Sequence, residues 1–299
     1  LTMPMTYSRE SGHLDQIHTQ LLGKGYRVLG MLSFGIECCV YEALDIDSGN
    51  KVAIKVWPSE KSIVDISCPV FRSECEKEFE IVKSLNHSNI VRVLQSDIND
   101  GEFRYLVFEY VSGASLKDWL FEHGAFSLAE TVHVMTKVLE VLVYLEKNNV
   151  IHNDLKPANI LVYNNNNSLG VKLIDFGNAV VERCQQYNEQ RKCSPAYCAP
   201  EVLRGEMPTI KSDIYAWGLI FIECLIGRAV VYGESYSMMV NRQLDSFFVA
   251  MPECIKKSGL DFILSKAVQK EQEMRWQDAL SIYRELRCWS SVLGESVVE

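Results

Sequence analysis

The segment VIHNDLKPANILV, residues 150–162, restricts the possible folds more than any other part of the chain. Its apolar residues fit a buried segment, and Ile160, Leu161 and Val162 fit a short strand, yet His152, Asp154, Lys156 and Asn159 lie between them. Burying a polar group without a partner costs on the order of 1–3 kcal/mol, and an unpaired charge costs more. The fold therefore has to gather partners around this segment. It also has to explain the asparagine at position 153.

The periodicity around it divides the chain in two. Residues 26–57 alternate as strands do, with DIDSGN at 45–50 as a turn; 71–85 have helical period, and strands return near 90–95 and 104–111. From about 113 helices dominate, at 115–122, 127–148, 212–226, 236–248, 259–269 and 276–287, with NNNNSLG at 164–170 as a polar loop tip. The expectation is an α+β chain with a flank over 1–21, a small lobe over 22–112, a larger lobe over 113–289 and a tail over 290–299. A cleft between two lobes is a natural ligand site.

Single residues stand out against this pattern. In KVAIKVW, Lys55 shares a strand face with Ala53 and Trp57. It either reaches an anion or snorkels to water from an edge. In FRSECEKEFEIVKSL, Glu78 projects among Phe71, Cys75, Val82 and Leu85, while Glu76 and Glu80 point to solvent and Glu74 lies on the border. A carboxylate on a packing face needs a cation, and Lys55 is the candidate; otherwise Glu78 is one acid of a charged helix. Asp154, Asn159 and Asp175 offer hard oxygen ligands of the kind that suit magnesium, although each alone could be a turn former.

Taken together, these stretches resemble the eukaryotic-type protein kinases of the serine/threonine branch over about residues 22–289. VAIK at 52–55, Glu78 with the following H-x-N-I-V, YLVFEYVSGASL, HNDLKPAN, DFG at 175–177 and APE at 199–201 occur in the family's order. The resemblance implies a bilobal protein-kinase-like fold, with a small antiparallel-sheet lobe plus one helix and a larger, mainly helical lobe. It implies ATP and Mg²⁺ as cofactors and a protein serine or threonine hydroxyl as acceptor. Asp154, Lys156 and Asn159 take the catalytic positions, and Asn159 and Asp175 the metal positions. Lys55, Glu78, Gly30, Gly35, Val40, Ala53, Phe108, Glu109 and Val111 fall where the family holds the nucleotide. Ser194 would contact Asp154 and Lys156. Asp213 would brace the catalytic loop or cap its helix, and Arg275 would pair with Glu201. Packing between the lobes would run through Val82, Val93, His152 and Phe176.

Two departures matter. The family's G-x-G-x-x-G-x-V reads here as Gly30, Leu32 and Gly35, with three extra residues before Val40, which implies a reshaped grip on ATP. GKG at 23–25 lies too early to substitute and reads as a turn. Asn153 replaces the arginine that reads an activation-loop phosphate, and 178–193 offers only Tyr187 as a hydroxyl. Both facts imply an active conformation that needs no activation-loop phosphorylation. The competing readings are a pseudokinase scaffold, suggested by the altered glycine loop, and a small-molecule kinase, disfavoured by APE, Asp213 and Arg275.

The net charge of −9 disfavours nucleic acid as a partner. Ten cysteines without a CxxC pair read as reduced thiols in a cytoplasmic setting; Cys224 and Cys254 look like core residues, and adjacent Cys38 and Cys39 like a redox-sensitive pair. The longest apolar stretch, 216–227, is too short to span a membrane and contains Glu223, so it reads as a buried helix. The chain begins with Leu, which fits an excised domain or a processed product. Oligomeric state is not legible.

Overall fold

The computed structural model describes residues 17–35, 38–57, 70–98, 104–166, 168–181, 193–245 and 251–294. The chain separates into two compact units, one of residues 1–86 and 91–110, the other of residues 87–90 and 111–299.

In the smaller unit, β1 (Tyr26–Phe34), β2 (Cys39–Asp45), β3 (Lys51–Trp57), β5 (Arg104–Glu109) and β4 (Val93–Asp97) form an antiparallel sheet in that order. The β2–β3 connection is the expected turn. Asp45 accepts from the Asp47 and Ser48 backbone and the Ser48 hydroxyl, and Gly49 takes the left-handed φ of 70° that the turn requires. Alternation along β3 buries Val52, Ile54 and Val56 against Tyr41, Ala43 and Val107. A helix over 17–23, α1, adds Ile17 and Leu21 to this same core. Ile17 and Leu21 are thus core rather than flank: the two apolar side chains lie about one helical turn apart and pack into the sheet's core cluster. Of GKG, Gly23 ends α1, and Lys24 and Gly25 form the turn that follows, with Gly25 at a φ of 91°. Helix α2 (Val70–Ser84) completes the unit and buries Cys75, Glu78, Ile81 and Val82, with Leu85 buried just after it. Glu80 is exposed and bonds Lys83, whereas Glu76 is half-buried rather than fully solvated. Phe71 and Glu74 lie outside the described side chains.

The larger unit is mainly helical: α3 (Leu116–His123), α4 (Leu128–Lys147), α5 (Pro200–Leu203), α6 (Ile210–Ile226), α7 (Tyr236–Leu244), α8 (Glu253–Ser258), α9 (Asp261–Ala267) and α10 (Ala279–Gly294). Ser127 and Glu130 form a reciprocal capping box that starts α4. The apolar helix α6 is buried nearly all round and ends at Gly227, whose φ is 71°. Its cap is Thr209 with Ser212, so the capping role considered for Asp213 does not hold; Asp213 lies four residues past the cap, inside the helix. The unit's three-stranded sheet has the order β6 (Ala114–Ser115), β8 (Ile160–Asn165), β9 (Ser168–Leu173); β7 (Val150–Ile151) pairs with β10 (Val180–Val181). A side chain at Gly113 would collide with the Val162 carbonyl, so the chain can enter β6 there only without one.

Four other expectations are corrected. The polar run at 164–170 is mostly strand: β8 and β9 pair out to Asn165 and Ser168, because exposed strand ends tolerate polar side chains on both faces. Cys254 is exposed; its neighbour Ile255 takes the buried face of α8. Helix α10 runs through to Gly294, past the expected tail boundary at 290. Val111 belongs to the larger unit, two residues before the expected join. Among the described residues, no helix is long and apolar enough to cross a membrane.

Candidate active site

The smaller unit carries a buried ion pair. Lys55 Nζ donates to both Glu78 carboxylate oxygens, at 2.8 and 2.7 Å, and the two residues are only 8% and 2% exposed. Strand β3 supplies the lysine on the face shared with Trp57, whose ring lies 5.1 Å from the ammonium. Helix α2 supplies the glutamate from the middle of its apolar stripe. Two charges so far from water need compensation, and removing one partner of such a buried pair typically costs about 3–5 kcal/mol. The sheet register sets neighbours of Lys55: Val40 lies opposite it on β2, and Ala53 lies opposite Phe108 on β5. The Glu109 carboxylate accepts from the Arg92 backbone at 3.0 Å.

The glycine-poor hairpin is longer than the family pattern. Gly30 sits within the β1–β2 ladder opposite Glu42, and pairing continues through Ser33 and Phe34 to Cys39. Gly35 closes the hairpin by donating to the Cys38 carbonyl at 2.9 Å. Two of the residues between Gly35 and Val40, 36 and 37, lie outside the described residues; Leu32, within β1, is about half exposed.

In the larger unit the polar groups of 150–162 find their partners. Asp213 accepts from the backbone of His152 at 2.7 Å and of Asn153 at 2.9 Å. Burial pushes the Asp213 carboxyl above its ordinary range, while the nearby His152 and these donors work against the shift. The His152 ring packs on Phe176 with centroids 4.9 Å apart, and its Nε2 lies 3.3 Å from the Ile174 carbonyl. Asp154 is held from several sides: Lys156 Nζ at 2.6 Å from Oδ2, the Ser194 hydroxyl at 2.9 Å from Oδ1, and the Asn159 amide at 2.9 Å from its carbonyl. Lys156 also donates to the Ser194 oxygen at 3.1 Å. Asn159 accepts from the Ile174 N–H through its own carbonyl at 2.9 Å, which ties its backbone to the residue preceding Asp175. Asp175 has a left-handed φ of 64°, and its carboxylate lies 3.4 Å from the Gly177 nitrogen.

Asn153 has a physical explanation. Its φ is 63°, a region that asparagine tolerates far better than arginine does. Its side-chain amide donates to the Asn178 carbonyl at 3.2 Å, linking the catalytic loop to the residue after DFG. Tyr187 and the rest of 182–192 lie outside the described residues.

The segment after the loop is anchored by Glu201 and Arg275. Arg275 gives all five of its N–H donors: two to the Glu201 carboxylate at 2.7 Å each, and the others to the carbonyls of Lys211, Gln269 and Lys270. Burial would raise the Glu201 carboxyl, but the guanidinium outweighs it and holds the group below its ordinary range. The sequence reading missed a second anchor, the Tyr197 hydroxyl donating to Glu223 at 2.8 Å. Its signal was the lone acid in the apolar run of α6.

Comparison with known proteins agrees with this geometry. The protein kinase domain family matches residues 26–282. The chain is 30% identical over 277 residues to the probable serine/threonine-protein kinase PknB of Bifidobacterium longum, covering 87% of this chain and 39% of that protein. It is 29% identical over 263 residues to the serine/threonine-protein kinase PrkC of Bacillus subtilis, covering 85% and 39%. It is 34% identical over 205 residues to calcium-dependent protein kinase 3 of Plasmodium yoelii yoelii, covering 68% and 36%. The chain therefore spans well under half the length of these relatives.

Proposed function

The chain belongs to the protein kinase domain family, and from that premise we propose that it is an active serine/threonine protein kinase, transferring the γ-phosphoryl group of Mg-ATP to a protein hydroxyl. The observation that carries this reading is the set of bonds around Asp154. Lys156 and Ser194 fix a buried carboxylate in one orientation and Asn159 holds the backbone that carries it, as a group that receives a proton from a substrate hydroxyl needs. Asp154 orients that hydroxyl and accepts its proton, while Lys156 offsets charge on the transferred group. Lys55, steadied by Glu78, holds the α and β phosphates. Gly30, Gly35, Val40, Ala53, Phe108, Glu109 and Val111 contact the nucleotide.

The donor set fits magnesium. Asn159 commits its amide nitrogen to Asp154, which leaves its oxygen as the ligand atom, and Asp175 adds a carboxylate. Magnesium is usually held by one or two protein oxygen ligands together with phosphate and water. Such an ion supplies charge neutralisation at the phosphate oxygens.

We read the active conformation as independent of activation-loop phosphorylation. Asn153 carries no charge to form an ion pair with a phosphate, and its bond to the Asn178 carbonyl supplies an internal tie in place of that contact. The extended glycine-poor hairpin favours a second reading, a nucleotide-binding pseudokinase. Incubation with γ-labelled ATP, magnesium and a peptide library tests both, with phosphoamino acid analysis of the product. Label on serine or threonine, undiminished by prior phosphatase treatment, is the expected result. Bound nucleotide without transfer supports the scaffold, and a large fall after phosphatase contradicts independence.

A further inference from the structure

Two cysteines flank a turn in the strip that carries Ser194. The backbone N–H groups of Tyr197 and Cys198 both donate to the Ser194 carbonyl at 2.9 Å, and this reversal makes the Cys193 and Cys198 side chains hydrogen-bond partners. Both line one small cavity together with Asn153, Asp154 and Ser194. Cys193 is half-buried and also bonded by the Tyr236 side chain, whereas Cys198 is only 9% exposed. Their chemistry is unequal. The bond from Cys198 lowers the Cys193 thiol below its ordinary range, against burial and the Asp154 carboxylate. The same bond, then burial, pushes the Cys198 thiol up, with Cys193, Glu201 and Asp154 adding to the effect. A more accessible sulfur beside a more buried one in the same cavity matches the division between attacking and resolving thiols.

We propose that Cys193 and Cys198 form a hydroperoxide-reactive pair, closing to an intramolecular disulfide. The Cys193 thiolate attacks one peroxide oxygen. The O–O bond breaks, Cys193 becomes a sulfenic acid, and the other oxygen leaves as an alcohol, or as water from hydrogen peroxide, after taking a proton. The Cys198 sulfur then attacks the Cys193 sulfur. The S–S bond forms, the S–O bond breaks, and the departing hydroxide takes the Cys198 proton as water. Two thiols have then given two electrons and two protons to the peroxide.

The bond draws the sulfurs to about 2 Å, well inside hydrogen-bond contact. Ser194 is attached directly to Cys193, and its hydroxyl bridges Lys156 and Asp154. Closure therefore disturbs the Asp154 carboxylate. This consequence rests on the transferase reading, while the disulfide itself does not.

The test treats the full chain with hydrogen peroxide at neutral pH, blocks remaining thiols, and maps the digest. A Cys193–Cys198 linkage is expected, with Cys193 consumed about tenfold faster than the exposed Cys254 and Cys288. Phosphoryl transfer falls about tenfold in step with the linkage and returns with dithiothreitol. Cys193→Ser removes both the linkage and the sensitivity. Cys198→Ala leaves a sulfenic acid at Cys193 that dimedone traps. Cys193 reacting no faster than Cys254, or a linkage confined to Cys38 and Cys39, overturns the proposal. A mapped linkage with unchanged transfer overturns only its coupling to activity. A linkage in a chain whose reduced form transfers no phosphate supports the pair and counts against the transferase reading alone.

Discussion

Replacing Asn153 separates two contributions that the residue makes to the catalytic loop. Its φ of 63° lies where an ordinary side chain costs roughly 1–2 kcal/mol. Its amide bond to the Asn178 carbonyl, at 3.2 Å, contributes about 0.5–1.5 kcal/mol. The loop cannot relax by changing φ freely, because the Asn153 N–H is fixed to the buried Asp213 carboxylate at 2.9 Å. Asn153→Gly keeps the backbone and loses the amide, so it costs about 1 kcal/mol for the bond and somewhat more for the freedom glycine gains when unfolded. Asn153→Ala loses both contributions and falls about 1 kcal/mol below glycine. Asn153→Arg restores the family's side chain but not the backbone preference, and ranks with alanine. Urea midpoints and kcat, measured on all four proteins, give the order wild type, Gly, then Ala and Arg. At typical slopes a loss of about 2 kcal/mol moves the midpoint by about 1 M. Alanine matching glycine would refute the backbone argument. Glycine matching wild type would refute the hydrogen bond.

Further outcomes follow from the other contacts. Arg275→Met leaves Glu201 charged and buried, and should cost about 3–5 kcal/mol in urea denaturation; a loss under 1 kcal/mol would remove Arg275 as an anchor. Because Glu201 is held below its ordinary 4.5, the folded state binds that proton less readily than the unfolded chain. Its stabilisation is complete above the unfolded value and is lost as pH falls through the folded one, so the acid limb of a pH–stability curve should flatten in Glu201→Gln. Glu78→Gln removes the anion facing Lys55 and should weaken nucleotide binding and kcat/KM together; an unchanged titration would count against the pair's role. Leu32→Gly should tighten ATP binding if the closer approach of glycine matters at the hairpin, and unchanged affinity would remove that explanation.

The two-part organisation was legible because periodicity changes near 113 and because apolar patterns along β3 and α6 are strong. Lys55 and Glu78 could be paired from sequence since each is an isolated charge on an apolar face. Where the reading failed, the deciding forces were tertiary. Ile17 and Leu21 look unremarkable in a polar stretch, and only packing with the residues of the sheet core makes them buried. The hairpin at 160–173 keeps its register through backbone pairing, which polar asparagines do not disclose. Asp213 matched the pattern of a helix cap, yet Thr209 begins the helix earlier. At Asn153 the missing charge was visible in the sequence, but the left-handed backbone that favours asparagine was not.

The central claim is that this chain moves a phosphoryl group and does not merely hold a nucleotide. Its most direct test compares wild type with Asp154→Ala for Mg-ATP affinity and for label transfer to a serine or threonine peptide. The expected result is similar affinity with transfer reduced by roughly 10²–10⁴, the range of a positioned general base. Equal transfer by both proteins, or binding without transfer by the wild type, would contradict it.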